Sequence, residues 1–214
     1  MSRWLPLVPF PPLSWWHFAL REEGVGVDLA EGYRKQSIRN RLMLADAKGS
    51  MMVSFPIDHV HRRSNPLLRM RDMRFSQHIP IRQILRSIET AYGRSPFFEH
   101  VMPDLQRLIE KHGPGAYGAT LGHFSIATLH MMTDWSESMH IADLNALLAP
   151  HGTEPASGEQ RISEADLEGS GWQWSPYGQP FEDRLGFHAG LSSLDALFCV
   201  GPAWIDVLPS PLQP

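Results

Sequence analysis

Between Gly32 and Ala45 the chain carries Arg34, Lys35, Arg39 and Arg41 and no acid. The whole sequence is acidic, with 19 Lys and Arg against 23 Asp and Glu, a net charge of −4. The stretch therefore runs against its background. Ile38 to Leu44 alternates, which predicts a strand with Ile38, Asn40, Leu42 and Leu44 on one face and Arg39, Arg41 and Met43 on the other. A guanidinium fork suits phosphate or carboxylate, and Lys35 adds a point charge. Gln36 and Asn40 add neutral hydrogen-bonding groups. Together they suit an anionic, hydroxyl-rich ligand such as a nucleotide sugar. The same cations also suit an edge strand guarded against aggregation. Asn40, on the apolar face, is either a structural bracket or a ligand contact, because a buried amide must have partners. Tyr33 and Tyr92 either hydrogen-bond a sugar or plug the core.

A second polar cluster is Glu182-Asp183-Arg184, read as a turn. Glu182 or Asp183 there could act as general base toward an amine, or Asp183 and Arg184 could pair and lock the turn. The remaining reactive side chains fit no catalytic pattern. His17 follows Trp15-Trp16 at a core edge, and His59 and His61 fall in a polar stretch without a fixed third metal ligand. His123 and His130 are seven apart and share a helix face, without an H-E-x-x-H arrangement. Cys199 lies in an apolar helix and reads as a buried, inert thiol. No phosphate-loop or G-x-S-x-G pattern is present. The residues thus predict no metal and no cofactor.

These groups must be positioned by a fold with many turns. Pro (18) and Gly (17) are abundant in the 214 residues. Short strands are expected over Trp4–Val8, Val25–Leu29, Ile38–Leu44 and Met51–Pro56, with a further one near Met73–Phe75. Helices are expected over Leu13–Leu20, Ile81–Tyr92, from Ser95-Pro96 to His112, from Thr120 to Thr133, over Ile141–Leu148, and from Ser192 to Val200. Ser192 and Asp195 form a capping-box pattern. Asp58–Asn65 reads as a surface loop and Pro150–Gly171 as a polar loop. The order, strands then helices, predicts an α+β fold: a small N-terminal mixed or antiparallel sheet followed by a helical C-terminal part. One domain over 1–214 is expected, strand-rich to 78, helical over 79–149, a loop over 150–175, and a turn and helix to the end.

Composition excludes other classes. With 43% hydrophobic and 20% charged residues the chain is globular. The net negative charge argues against nucleic acid as a partner, since that affinity needs many phosphate contacts. A single cysteine excludes an internal disulfide and multi-cysteine zinc, and suits a reducing cytoplasm. No apolar run is long enough to span a membrane.

Five segments, in order, resemble the WbqC-like family of bacterial proteins. Tyr33-Arg34-Lys35-Gln36-Ser37-Ile38-Arg39-Asn40-Arg41 is similar to its Y-x-K-Q-[ST]-x-R-N-R segment. Phe10-Pro11-Pro12 with Trp15-Trp16 resembles its N-terminal Pro-Pro turn and aromatic pair, and Met52–Ile57 its L-x-[IV]-P-[IV] strand. Ile88–Tyr92 with Ser95-Pro96-Phe97-Phe98 resembles its helix junction. Gln179–Gly186, then Leu191–Phe198 and Gly201-Pro202, resembles its C-terminal signature. The chain departs at Ile84, where relatives often carry His, at Ser14, where Gln is common, and around Cys199-Val200, where an Asn is expected. The resemblance implies a cytoplasmic role in surface-polysaccharide (O-antigen, lipopolysaccharide) assembly. It implies an aminoacyl or acyl transferase, glycine-type, acting on an activated amino sugar or sugar acid, with an acyl or aminoacyl carrier as donor. In that reading Tyr33, Lys35, Gln36, Arg39, Asn40, Arg41, Tyr92 and Arg184 bind substrate, and Glu182 or Asp183 is the base. The alternatives are a non-catalytic nucleotide-sugar-binding protein and a scaffold that uses its Trp-rich N-terminus as a contact.

Overall fold

The structure, a computed structural model, describes residues 3–32, 34, 37–64, 67–136, 141–148, 159–168 and 170–212. The first part of the chain contains β1 (Arg3–Pro6), α1 (Leu13–Arg21), β2 (Val25–Asp28), β3 (Arg41–Asp46), β4 (Gly49–Ser54) and α2 (His59–Ser64). The helical middle contains α3 (Ile81–Tyr92), α4 (Phe98–His112), α5 (Leu121–Asp134) and α6 (Ile141–Leu148). The last part contains β5 (Gln160–Arg161), α7 (Glu164–Glu168), β6 (Trp172–Gln173), α8 (Glu182–Leu185), α9 (Ser193–Val200) and β7 (Ser210–Pro211). The fold is α+β.

Among the described residues β1 is the centre of a small parallel sheet, with β2 on one side and β5 on the other. Two parallel neighbours need a crossover, and α1 supplies it between β1 and β2. β3 and β4 form an antiparallel hairpin, Arg41 opposite Ser54 and Asp46 opposite Gly49. Only Ala47 and Lys48 separate the two strands, and Gly49 carries a φ of 122° that a side chain would resist. The core is aromatic. Trp15, Trp16, Trp204, Tyr92, Phe10, Phe124 and Phe198 are fully buried. Trp16 meets Trp204 edge-on at 4.9 Å, a favoured arrangement of ring quadrupoles. Trp15 donates its indole N–H to the Pro6 carbonyl. In the first turn of α5, Gly122 packs against the backbone of Arg71, where an added Cβ would stand 2.5 Å from its Cα and O. No helix among the described residues is long and apolar enough to cross a membrane.

Most helices run where their periodicity and caps put them. Thr120 caps α5 by accepting from the His123 N–H. Four local expectations are corrected. Ile38–Asn40 is a 3-10 turn, so β3 begins at Arg41 and Arg39 does not share a strand face with it. The alternation was real only from Leu42 onward; before it, burial of the Arg39 side chain decides the backbone. The polar stretch 59–64 is the helix α2, begun by Asp58, whose carboxylate accepts from the His61 N–H. Met73–Phe75 forms isolated bridges, Ile57 with Phe75 and Arg74 with Thr120, but no strand. The described part of 150–171 is ordered as β5 and α7. Its signal was a capping box: Ser163 N–H donates to the Asp166 carboxylate and the Asp166 N–H donates back to Ser163 Oγ.

Candidate functional site

The R-N-R segment divides into three jobs. Arg39 is 2% exposed and its guanidinium lies between two carboxylates. It donates through Nε to Glu31 at 2.8 Å, through a second nitrogen to the same carboxylate, and through the third to Glu164. Every face of the fork is filled. Asn40 closes the mouth of the hairpin, donating its amide to the Phe55 carbonyl at 3.0 Å while the Phe55 N–H donates to the Asn40 carbonyl at 2.8 Å. It is the structural bracket of the two alternatives. Arg41 is half-buried; its backbone N–H donates to the Ile38 carbonyl, and its guanidinium has no hydrogen bond or ion pair among the described residues. Arg34 is exposed and lies 3.6 Å from the Glu31 carboxylate. Tyr33, Lys35 and Gln36 lie outside the described residues.

Arg41 lines a cavity of about 180 Å³. One wall is the turn Val8–Pro12, a second is Arg41–Met43 with Met52, a third is Ser37, Ile38, Glu164 and Glu168, and the last is Gly190 and Ser192. Each wall is fixed from behind. Phe10 has a φ of 41°, a costly conformation for a bulky residue. It is held there because its N–H donates to Thr128 Oγ1 and its carbonyl accepts from Ser192 Oγ. Ser193 N–H donates to the Pro11 carbonyl, and Ser192 N–H to the Met43 carbonyl. Ser192 thus ties the Pro-Pro turn to β3. α7 is anchored by Leu167, fully buried, whose carbonyl accepts from Ser14 Oγ. Arg39 orients Glu164 from below, and the Ile38 N–H donates to the second Glu164 oxygen.

The cavity therefore has among its described lining residues one cation without a side-chain partner, Arg41, and the Glu168 carboxylate. Glu168 is exposed on α7; the desolvation it retains there, and then the nearby charge of Glu164, push its carboxyl above its ordinary range. As an exposed carboxylate lining the cavity, Glu168 is open to a bound group as a proton acceptor. Glu164 and Glu168 were missed because their segment reads as polar loop. Their i, i+4 spacing behind the Ser163 cap is the signal that places both on one helix face.

The late polar turn goes elsewhere. Glu182–Leu185 is the short helix α8, and Glu182 accepts from the Gln179 N–H within that turn. Asp183 and Arg184 are exposed and form no ion pair with each other. None of the three lines the Arg41 cavity. His188, which follows them, packs against Gly49 at the hairpin tip. Arg41 is at the other end of β3, about 17 Å along the strand at ~3.4 Å per residue. The Pro-Pro turn and Arg41 do meet in one cavity. The C-terminal segment reaches it through Gly190 and Ser192, not through Glu182, Asp183 or Arg184.

Near the hairpin tip lies a second polar centre. Asp195, fully buried in α9, accepts from the Tyr92 hydroxyl at 2.5 Å, the Tyr177 hydroxyl at 2.6 Å and the Gln179 amide at 3.0 Å. It caps nothing: the capping-box pattern resolves into Ser192 alone accepting from Leu194 N–H. Tyr92 also accepts from the Ala45 N–H, and Gln179 exchanges hydrogen bonds with the His188 backbone. Burial pushes Asp195 up, against the pull of its three donors, and burial then the Asp195 charge push both tyrosines well up. Tyr92 therefore serves the core. Cys199 beside it is buried and pushed up by desolvation. Among the described residues no three His, Cys, Asp or Glu side chains are grouped to hold a metal.

A small parallel sheet and a helical body thus bring a cavity together under the Pro-Pro turn. The family model of the WbqC-like protein family matches residues 21–207, and the chain belongs to that family. No curated protein and no solved structure matches it.

Proposed function

We propose that the Arg41 cavity binds one end of an anionic, amine-bearing sugar substrate. The chain would then be a cytoplasmic transferase that places an aminoacyl or acyl group on an activated amino sugar or sugar acid during surface-polysaccharide assembly. The observation that carries this reading is that the Arg41 guanidinium, which has no side-chain partner among the described residues, and the Glu168 carboxyl line one small cavity. At about 180 Å³ it is smaller than the roughly 300–1,000 Å³ of usual ligand pockets. It would enclose a single polar moiety while the rest of the substrate lies outside. Arg41 binds the anionic group. Glu168 takes the proton from the acceptor ammonium. The freed amine attacks the carbonyl carbon of an ester or thioester donor, the C–N bond forms, and the donor's leaving group departs with its bonding pair.

This reading moves the base from Glu182 or Asp183 to Glu168 and makes Arg39 a positioning residue. Its test is single-turnover kinetics with nucleotide-linked amino sugars and activated glycine: product from the wild type and at least a hundredfold less from Glu168→Gln, with binding of the sugar retained. Saturable binding without product, in wild type as in variant, favours the second reading, a non-catalytic nucleotide-sugar-binding protein. One observation favours that alternative. Ile84, where relatives carry His, packs its half-buried side chain on the core from α3 and offers no proton acceptor. The scaffold reading has less behind it, because Trp4, Trp15 and Trp16 are all buried and leave no exposed apolar patch there.

A further inference from the structure

A groove of about 1,180 Å³ lies between α4 and α5, separate from the Arg41 site. Asp104, Leu108 and Lys111 from α4 and His123, Ile126 and His130 from α5 fall at i, i+3, i+4 and i+7 spacings, so one face of each helix looks into it. His123 and His130, seven apart, thus find a shared place that the Arg41 site does not use. The floor is Leu108 and Met131, both buried, flanked by half-buried Ile126 and Ala127.

Charge is separated along the groove. Lys111, His112 and His123 gather at one end, where α4 finishes and α5 begins. The acids lining the groove are distant from that end. Asp104 is held by Arg107 and by the Trp135 indole N–H. Asp134 is eleven residues from His123, about 16 Å along α5 at 1.5 Å per residue. Lys111 and His112 suit the negative end of the α4 dipole, but His123 stands in the first turn of α5, where a cation is opposed by that helix's dipole. The dipoles therefore account for Lys111 and His112 but not for the placement of His123 beside them. Burial first, and then the nearby Lys111 and His123, hold His112 below its ordinary range, so it offers this end of the groove a neutral N–H donor beside Lys111.

We propose that this groove is a second ligand site, for a monomeric amphiphile with a phosphate head. Lys111, His112 and His123 hold the phosphate, and the apolar body lies along Leu108, Ile126 and Met131. A lipid surface fits less well. The site is concave between two helices, and the large apolar side chains that stand exposed, Met52, Leu67, Tyr117, Leu185 and Leu212, are not among its lining.

The test is calorimetric titration of the full chain with decyl phosphate below its micellar concentration. Inorganic phosphate, decanol and vesicles of anionic phospholipid serve as the other arms. Saturable one-to-one binding of decyl phosphate, at least tenfold tighter than inorganic phosphate and than decanol, is expected. A Lys111→Glu/His123→Glu double variant should lose at least tenfold at a thermal midpoint close to that of wild type, because both side chains are exposed and an acid opposes the dipole at the end of α4 but suits it in the first turn of α5. Ile126→Trp, which fills the floor, should weaken decyl phosphate and leave the weak binding of inorganic phosphate as it was. No saturable binding of decyl phosphate, equal affinity in the double variant, equal affinity for inorganic phosphate, or binding to vesicles alone would each overturn the proposal.

Discussion

The two polar centres at opposite ends of the β3–β4 hairpin are built on different terms. At the tip, Asp195 is buried and three donors converge on it, with Tyr92 and Gln179 satisfied in turn by backbone groups. At the mouth, the Arg41 guanidinium lines a cavity with no partner among the described residues, and the Glu168 carboxyl, pushed above its ordinary range, lines the same cavity. A closed network fixes one arrangement of the chain. An open one holds charge that only a further group can pair. The contrast repeats within three residues, since Arg39 is enclosed by Glu31 and Glu164 while Arg41 is not.

The largest effect should come from opening the closed centre. Asp195→Ala leaves two buried hydroxyls and an amide without their acceptor. It should lower unfolding stability by about 3–5 kcal/mol, read from urea denaturation; a midpoint like that of the wild type would mean the network is idle. Next is Arg39→Met, which strands the buried Glu31 carboxylate and frees Glu164. A loss of about 3 kcal/mol is expected, with any fall in ligand binding explained by misplacement of α7. Arg41→Ala should behave in the opposite way, with stability within about 1 kcal/mol of wild type. A loss as large as that of Arg39→Met would erase the distinction between the two residues.

The smallest effect concerns pH. A carboxyl raised in the folded state favours the fold while protonated. That contribution is fully present below the ordinary carboxylate pKa and is lost as pH rises through the raised value. Glu168→Gln should therefore be equal to or slightly more stable than wild type at neutral pH, by a few tenths of a kcal/mol given the exposure of the group. The gap should close toward pH 4. Thermal midpoints across pH 4–8 measure it, and a gap that widens on acidification would contradict the assignment.

Much of this fold was legible in the residues. The helices α1, α3 and α5 follow from apolar spacing with Pro, Gly and Thr punctuation, all local signals. The error over Ile38–Asn40 has a tertiary cause. Arg39 looks like a surface cation until Glu31 and Glu164, the latter 125 positions later, enclose it, and that burial overrides a period of two. The site was half legible for the same reason. The Pro-Pro turn and Arg41 stood out by residue type, whereas Glu168 joins them only because β5 pairs with β1 and brings α7 back to the start of the chain. Asp195 misled in the other direction. Its place three residues after Ser192 satisfied a local pattern, while its real partners lie beyond α9, Tyr92 at the end of α3 and Tyr177 with Gln179 in the segment before α8.

The central claim, that Arg41 is the ligand-binding cation and Arg39 its scaffold, is tested most directly by calorimetric titration of wild type and Arg41→Ala with a nucleoside-diphosphate amino sugar. The expected result is saturable binding to the wild type and at least a tenfold weaker constant for the variant, roughly 1.5–3 kcal/mol for a charged hydrogen-bonded contact, at matched thermal midpoints. The same affinity in both proteins would contradict it.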